Sequence, residues 1–284
     1  MWVDDRIVFY REAARRFLRE REFGCVRASE NLQLYLSNPE LQSFFSVYIH
    51  LPETGPRDRI DGLAVVDSDG ALCALLPDSP RRDSELAGRL RLQRDLYRIS
   101  GVERDVRRLV AALGEGEWQD QSYMLMRARS VDIAFPPKDA RAAVRNAGPD
   151  DLDALLSLQM AYEREELNLK STRSETALKV QSLLERQIVA IAFRGDEPIG
   201  KINTNARGCF YDQIGGFYVK PEYRSMGIGV IVLFYLLYRI KAERRDPVLF
   251  VRHENVPAIR VYRRAGFRPA GEYGMSTKGT RRLS

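Results

Sequence analysis

The passage Gly216-Phe217-Tyr218-Val219-Lys220-Pro221-Glu222-Tyr223-Arg224-Ser225-Met226-Gly227-Ile228-Gly229 constrains this chain more than any other. A strand-like run ends at a proline, which cannot continue a sheet ladder. A turn then carries Arg-x-x-Gly-x-Gly into a strongly apolar helix expected over residues 227–243. A strand that feeds straight into a helix is the building unit of an α/β fold. The helix mouth also has chemistry to offer. Its first amides lack intrahelical acceptors and carry partial positive charge, which suits a phosphate. Glycines at 227 and 229 keep side chains out of the way, and Arg224 adds a fixed charge with planar donors. The same residues would equally make a glycine-softened helix start beside a solvated arginine, so the passage needs a second witness.

That witness follows a short apolar strand expected at 248–251. It reads Asn255-Val256-Pro257-Ala258-Ile259-Arg260-Val261-Tyr262-Arg263-Arg264-Ala265-Gly266-Phe267. Asn255 is a good N-cap, Pro257 suits a first turn and Gly266 suits a helix end. At 3.6 residues per turn, Asn255, Ala258 and Tyr262 share one face. The small Ala258 between two polar residues would let a ligand lie along that face.

Length and punctuation divide the chain. Its 284 residues are about twice a typical domain. The single Pro-Pro pair, Pro136-Pro137, reads as a linker, so residues 1–135 and 136–284 are expected as two domains. In the first, periodicity predicts helices at 6–21, 31–36, 85–97 and 105–113, with strands at 44–49, 63–66, 72–76, near 99 and at 123–127. In the second, strands are expected at 142–145, 188–193, 199–203, 213–219, 248–251 and from 267. Helices are expected there at 150–165, 172–186, 227–243 and 256–265. The order of elements repeats although the sequences do not. The fold class is therefore α/β (an α+β mixed sheet) built as two related domains. Charge separates the halves. Residues 1–135 hold 20 Lys/Arg against 22 Asp/Glu, a net of −2, whereas 136–284 hold 25 against 17, a net of +8. The second half suits a polyanion, either nucleic acid or a phosphorylated cofactor.

Taken together, Arg224-x-x-Gly227-x-Gly229 after x-Val219-x-Pro221-Glu222, followed by Asn255-x-x-Ala258-x-x-x-Tyr262-x-x-x-Gly266-Phe267, resemble the GNAT acyltransferase superfamily over residues 140–275. The resemblance implies a GNAT acyltransferase fold there. By element order it implies two tandem GNAT-like domains, the N-terminal one degenerate. After Leu76 the first half reads Pro77-Asp78-Ser79-Pro80-Arg81-Arg82-Asp83-Ser84, with no glycine pair to open the next helix. The implied cosubstrate is acetyl-CoA. Its pantetheine arm would lie on the strand Phe217, Tyr218 and Val219, placed by Asn255. Its pyrophosphate would sit on the amides of Ser225, Met226, Gly227, Ile228 and Gly229, with Arg224 beside it. Tyr262 is implied as the general acid for the departing thiolate. The implied reaction is direct attack of a neutral primary amine, on a small molecule or peptide, with the Phe217 N–H stabilising the oxyanion. No covalent enzyme intermediate and no metal is required. The general base is open among Asp212, Glu222, Glu165 and Glu166, each also readable as a surface carboxylate. Asn203 and Asn205 are candidates for acceptor contacts.

Other features narrow the field. The longest nearly apolar run, 230–238, is far short of the roughly 20 residues of a membrane span, so no membrane partner is expected. The acidic opening Met1-Trp2-Val3-Asp4-Asp5-Arg6 does not read as a signal peptide. Cys25, Cys73 and Cys209 are sparse and read as reduced thiols of a cytoplasmic protein, with Cys209 structural. His50 and His253 are the only histidines, so a metal centre has few residues to draw on. Arg260, Arg263, Arg264 and Arg268 are basic but lack interleaved aromatics, so nucleic acid is not the expected partner. The leading expectation is an acetyl-CoA-dependent N-acetyltransferase. The alternative is a non-catalytic acyl-CoA-binding regulatory or sensor protein. The first domain could shape the acceptor cleft, mediate a homodimer or stabilise its partner.

Overall fold

A computed structural model describes residues 1–4, 7–56, 58–92, 96–114, 116–128 and 141–279. Arg6, the Pro136-Pro137 pair and the expected boundary at 135/136 lie outside the described residues. The first half contains β1 (Trp2–Asp4), α1 (Arg11–Arg21), α2 (Val26–Ser37), β2 (Phe45–His50), β3 (Gly62–Asp67) and β4 (Ala71–Leu75). It continues through α3 (Asp83–Arg91), β5 (Arg98–Val102), α4 (Glu103–Leu113) and β6 (Trp118–Arg127). The second half contains β7 (Ala143–Asn146), α5 (Leu152–Glu166), α6 (Arg173–Arg186), β8 (Val189–Arg194), β9 (Glu197–Arg207) and β10 (Tyr211–Val219). It ends with α7 (Ile228–Ala242), β11 (Asp246–Val251), α8 (Val256–Arg264) and β12 (Arg268–Lys278). The two halves run through one identical order of elements.

Among the described residues all twelve strands form one mixed sheet, ordered β1-β2-β3-β4-β5-β12-β6-β11-β10-β9-β8-β7. The last strand of each half lies across the junction. β12 pairs with β5 from Tyr273↔Val102 to Thr277↔Arg98, and β6 pairs with β11 from Val248↔Arg127 to Val251↔Met124. Between them β6 and β12 form an antiparallel ladder from Arg268↔Arg127 to Lys278↔Trp118. Neither half's sheet is continuous without the other's final strand.

Side chains lock the same junction. Glu22, fully buried at the end of α1, accepts hydrogen bonds from the amides of Cys209 at 2.6 Å, Phe210 at 2.6 Å and Tyr211 at 2.8 Å. A carboxylate can be buried there because those amides replace the lost water. Glu30 of α2 accepts from Gln187 at 2.7 Å and from the Arg207 amide at 3.1 Å.

Helices cover both faces. α7 buries Ile228, Ile231, Val232, Leu233, Leu236, Leu237 and Ile240. At roughly 1.5–3 kcal/mol for each large apolar side chain, that face fixes where the helix starts as well as where it lies. On the opposite face α5 and α6 pack Leu155, Leu158 and Val180 against Val189, Ile191 and Tyr218.

The strand β1 is absent from the sequence expectation. Three residues carry no readable period, and only pairing with β2 defines it. α2 begins at Val26, ahead of the expected start at residue 31, because Cys25 adopts the non-helical N-cap conformation and buries its side chain. The strand exchange makes a direct prediction. Chains 1–135 and 136–284 produced as separate polypeptides should co-purify as a one-to-one complex in size-exclusion chromatography with light scattering. Two pieces that migrate independently would show that the β6–β12 ladder does not hold the halves.

Candidate functional site

The site begins where β10 leaves β11. The two strands pair in parallel only from Tyr211↔Asp246 to Ile214↔Leu249, after which β11 continues on β6 alone. On its other edge β10 stays on β9, but with a bulge. Gly215 pairs with Asn203 and Tyr218 with Lys201, so Gly216 and Phe217 face the single residue Ile202. Gly216 has φ +56°, and a Cβ there would fall 2.0 Å from Asn203 Oδ1. The Lys220 amide donates to Ile199 O at 3.0 Å. Because backbone groups alternate sides along a regular strand, the Val219 amide then points away from β9, into the gap.

The gap opens onto the start of α7. After a 3-10 turn at Pro221–Tyr223, Ser225 (φ +63°) and Gly227 (φ +80°) are both left-handed, and Gly227 is the N-cap of α7. Successive amides of such a turn and helix mouth converge on one point, the geometry of an anion nest. Gly229 has a packing reason beyond the one read from sequence. A Cβ there would lie 2.9 Å from Phe217 Cζ. Arg224 donates from Nε to Val219 O at 2.9 Å and from Nη2 to Glu165 at 2.8 Å. Met226 is exposed, and its carbonyl accepts from Arg141 at 3.0 Å.

α8 closes the other side. Asn255 caps it, its Oδ1 accepting from the Ala258 amide at 3.2 Å. Tyr262 is buried, with its ring 6.1 Å from that of Phe217 and 5.8 Å from that of Phe267. Burial pushes the Tyr262 phenol above its ordinary range, and the nearby Tyr162 and Glu166 act in the same direction. The phenol is therefore protonated at every working pH.

Lys201, Tyr162 and Tyr123 were not picked out from sequence. Lys201 is 1% exposed and donates to Asn203 Oδ1 and Gly216 O, each at 3.0 Å. The signal was present as a period-2 polar row, Lys201, Asn203 and Asn205, on one face of β9. Asn203 is buried and donates to Asn205 Oδ1 at 3.0 Å. Tyr162 of α5 packs its ring 5.3 Å from Lys201 Nζ, and burial raises its phenol to about 12. Tyr123 belongs to the first half. It reaches the second through β6, edge-on to Phe250 at 5.1 Å.

The four carboxylates separate cleanly. Asp212 is fully buried at the start of β10, paired with Arg207 at 3.5 Å and Arg245 at 3.4 Å, so it lies at the far end of the strand from Phe217. Glu222 is exposed in the turn before Arg224. Glu165 accepts from Tyr218 at 2.8 Å and from Arg224 at 2.8 Å. Burial alone would raise its pKa, but the bonds from Tyr218 and Arg224 outweigh it and hold the carboxyl below its ordinary range. Glu166 is half-buried, and its charge reaches both Tyr162 and Tyr262. Cys209 lies at the Glu22 cluster, where burial raises its thiol. Among the described residues no group of His, Cys, Asp or Glu could hold a metal ion, and no helix is long and apolar enough to cross a membrane.

The first half closes the equivalent gap. β4 and β5 pair from Ala71↔Arg98 to Cys73↔Ser100, and the Leu76 amide beyond them donates to Asp105 of α4 at 3.0 Å. Arg108 of α4 grips Asp83, the first residue of α3, at 2.9 and 2.8 Å, and also Pro77 O at 2.8 Å. Side-chain charge fills the helix mouth that stays open in α7.

Residues 152–267 match the Acetyltransferase (GNAT) family. A Drosophila protein of known structure superposes with a TM-score of 0.68 at 15% identity, over 98% of this chain and 97% of its own. A tandem GNAT protein from the clavulanic acid biosynthesis pathway, solved without acetyl-CoA, gives 0.57 at 14% identity over 98% and 97%. A GNAT-family acetyltransferase from Colwellia psychrerythraea gives 0.54 at 13% over 93% and 97%. At these identities the likeness is one of fold, shared along nearly the whole chain with a tandem GNAT protein. No curated protein matches the sequence.

Asp212 supplies a pH test of the strand start. Burial pushes its carboxyl up to about 6, against the pull of Arg207 and Arg245. The unfolded value is about 3.9, so between the two the native state holds a proton that the unfolded chain releases. This carboxyl's contribution to stability therefore falls as pH rises through that window. Asp212→Asn should flatten the corresponding limb of the urea midpoint against pH. An unaltered slope would mean that Asp212 is ionised in the fold.

Proposed function

We propose that the protein transfers an acetyl group from acetyl-CoA to a primary amine by direct attack, a reading supported by the match of residues 152–267 to the GNAT acetyltransferase family. One observation carries the reading. The gap between β10 and β11 runs into the left-handed turn and helix mouth of α7, with the Tyr262 ring 6.1 Å from Phe217 at its side. The residues present fit the cosubstrate. The N-terminal amides of α7 and the left-handed turn suit the pyrophosphate, and Arg224 is within reach of it by exchanging its bond to Glu165. The net of +8 over residues 136–284 suits the same polyanion.

Acetyl-CoA supplies an activated thioester; the chain supplies donors and proton transfer. The amides of Phe217 and Val219 serve the pantetheine arm and the developing oxyanion. Tyr262 holds the proton for the departing thiolate, its phenol being protonated across the working range. Glu166 takes the proton from the amine, directly or through water. It is the candidate carboxylate whose field reaches both phenols. Asn255, with Oδ1 engaged by Ala258, places the arm through the start of α8. The first half, its helix mouth held shut by Arg108 and Asp83, binds no acetyl-CoA and serves instead to complete the sheet.

The direct experiment is thiol release from acetyl-CoA across amines, amino acids, polyamines and peptides, with calorimetry for cosubstrate affinity. Stoichiometric binding without turnover on any acceptor would favour a sensor. Gly227→Val should weaken acetyl-CoA binding at least tenfold, about 1.4 kcal/mol, by blocking the nest. Tyr262→Phe keeps the ring but removes the proton, so single-turnover rates should fall by roughly 10²–10⁴ while acetyl-CoA affinity stays put. Glu166→Gln should cost a similar factor; a rate within about threefold of wild type would assign the base elsewhere.

A further inference from the structure

We propose that Lys201 is a positioning residue of the acetyl-transfer site, holding and polarising the peptide between Gly216 and Phe217. The inference rests on the reading above, in which the Phe217 N–H serves the thioester carbonyl. The two ends of one peptide are involved. Lys201 Nζ donates to Gly216 O at 3.0 Å, and because the peptide is trans the Phe217 N–H is directed the opposite way, away from the ammonium. Hydrogen bonds that share a peptide polarise one another, strengthening by about 10–30% per bond. An ammonium behind the carbonyl therefore makes the N–H in front a better donor.

The surroundings are built for this contact. Lys201 is 1% exposed, its second bond goes to Asn203 Oδ1 at 3.0 Å, and its Nζ lies over the Tyr162 ring, 5.3 Å from the centroid. At Gly216 a Cβ would fall 2.8 Å from Nζ as well as 2.0 Å from Asn203, so bulge and lysine fit only together. A methionine would fill the same space without burying a charge, which makes the lysine a costly choice for packing alone. The ionisable groups facing it are Tyr162 and Glu163 on α5 and, behind Glu163 at 3.2 Å, Lys179 on α6. The Tyr218 hydroxyl on β10 is turned to Glu165. Burial draws the Lys201 pKa down to about 7, with Glu163 opposing, so the charge on this peptide changes near neutrality.

The test reads the thioester itself and needs no acceptor. In the full chain, acetyl-CoA carrying carbon-13 at the thioester carbonyl should show an isotope-edited infrared band shifted to lower frequency on binding. Lys201→Met should bind with a Kd within about threefold of wild type, since pyrophosphate and pantetheine are held elsewhere, yet lose most of that shift. In wild type, raising the pH from about 6 to about 8.5 should move the band back towards its free position, while the variant's band stays fixed. A wild-type band in Lys201→Met, or a band in the native protein indifferent to pH, overturns the proposal and leaves acetyl transfer standing. If the variant fails to fold, the wild-type titration decides alone. Failure of the native protein to bind acetyl-CoA at all would instead remove the proposed function, and this role with it.

Discussion

The ladder between β6 and β12 runs from Arg268↔Arg127 to Lys278↔Trp118, and each of its strands is also hydrogen-bonded to the opposite half. A sheet whose edges are paired in this way has no weak seam at which its halves could separate. The consequence reaches the site. β6 flanks β11 on the side away from β10, so β11 keeps its position after Leu249 without β10 beside it. The gap can open without the sheet collapsing into it. Tyr123 arrives in the second half by the same route, its ring edge-on to that of Phe250.

Why β10 departs is a matter of local geometry. The bulge at Gly216 and Phe217 adds a residue on one strand only, bending it and increasing its twist. That bend requires a positive φ and a position with no room for a side chain, both met by Gly216. Phe217 then turns its ring to the α7 face, where Gly229 leaves space for it and Tyr262 packs nearby. Bulge, helix mouth and phenol are therefore one unit. A glycine at 229 serves the strand as much as any ligand.

Buried charge is distributed with the same logic. Glu22 and Asp212 are sealed at the start of β10, each facing donors: three backbone amides for the first, two arginines for the second. They fix the end of the strand that must not move. Lys201 is sealed beside the bulge, at the end where β10 stands free. The first half carries the opposite solution at its own helix mouth, where Arg108 and Asp83 neutralise each other and leave no opening. Two halves of one topology thus differ at the helix mouth in a few charged side chains.

The sequence alone determined the parts governed by neighbours along the chain. The proline stop at 221, the glycine pair at 227 and 229, and the Asn255-to-Tyr262 helix all appear where their spacing placed them, because caps, turns and helical faces depend on residues a few positions apart. So does the repeated element order, apart from β1, which is too short to carry a period. The charge of residues 136–284 was likewise open to counting. What the sequence could not supply is anything set by strand order. That β12 enters the first half's sheet, that Asp212 is walled off at the start of β10, and that Lys201 stands behind Gly216 all follow from pairings between distant segments. A lysine reads as a surface residue until its strand is placed under a helix. Only the tertiary structure decides which neighbours replace its water.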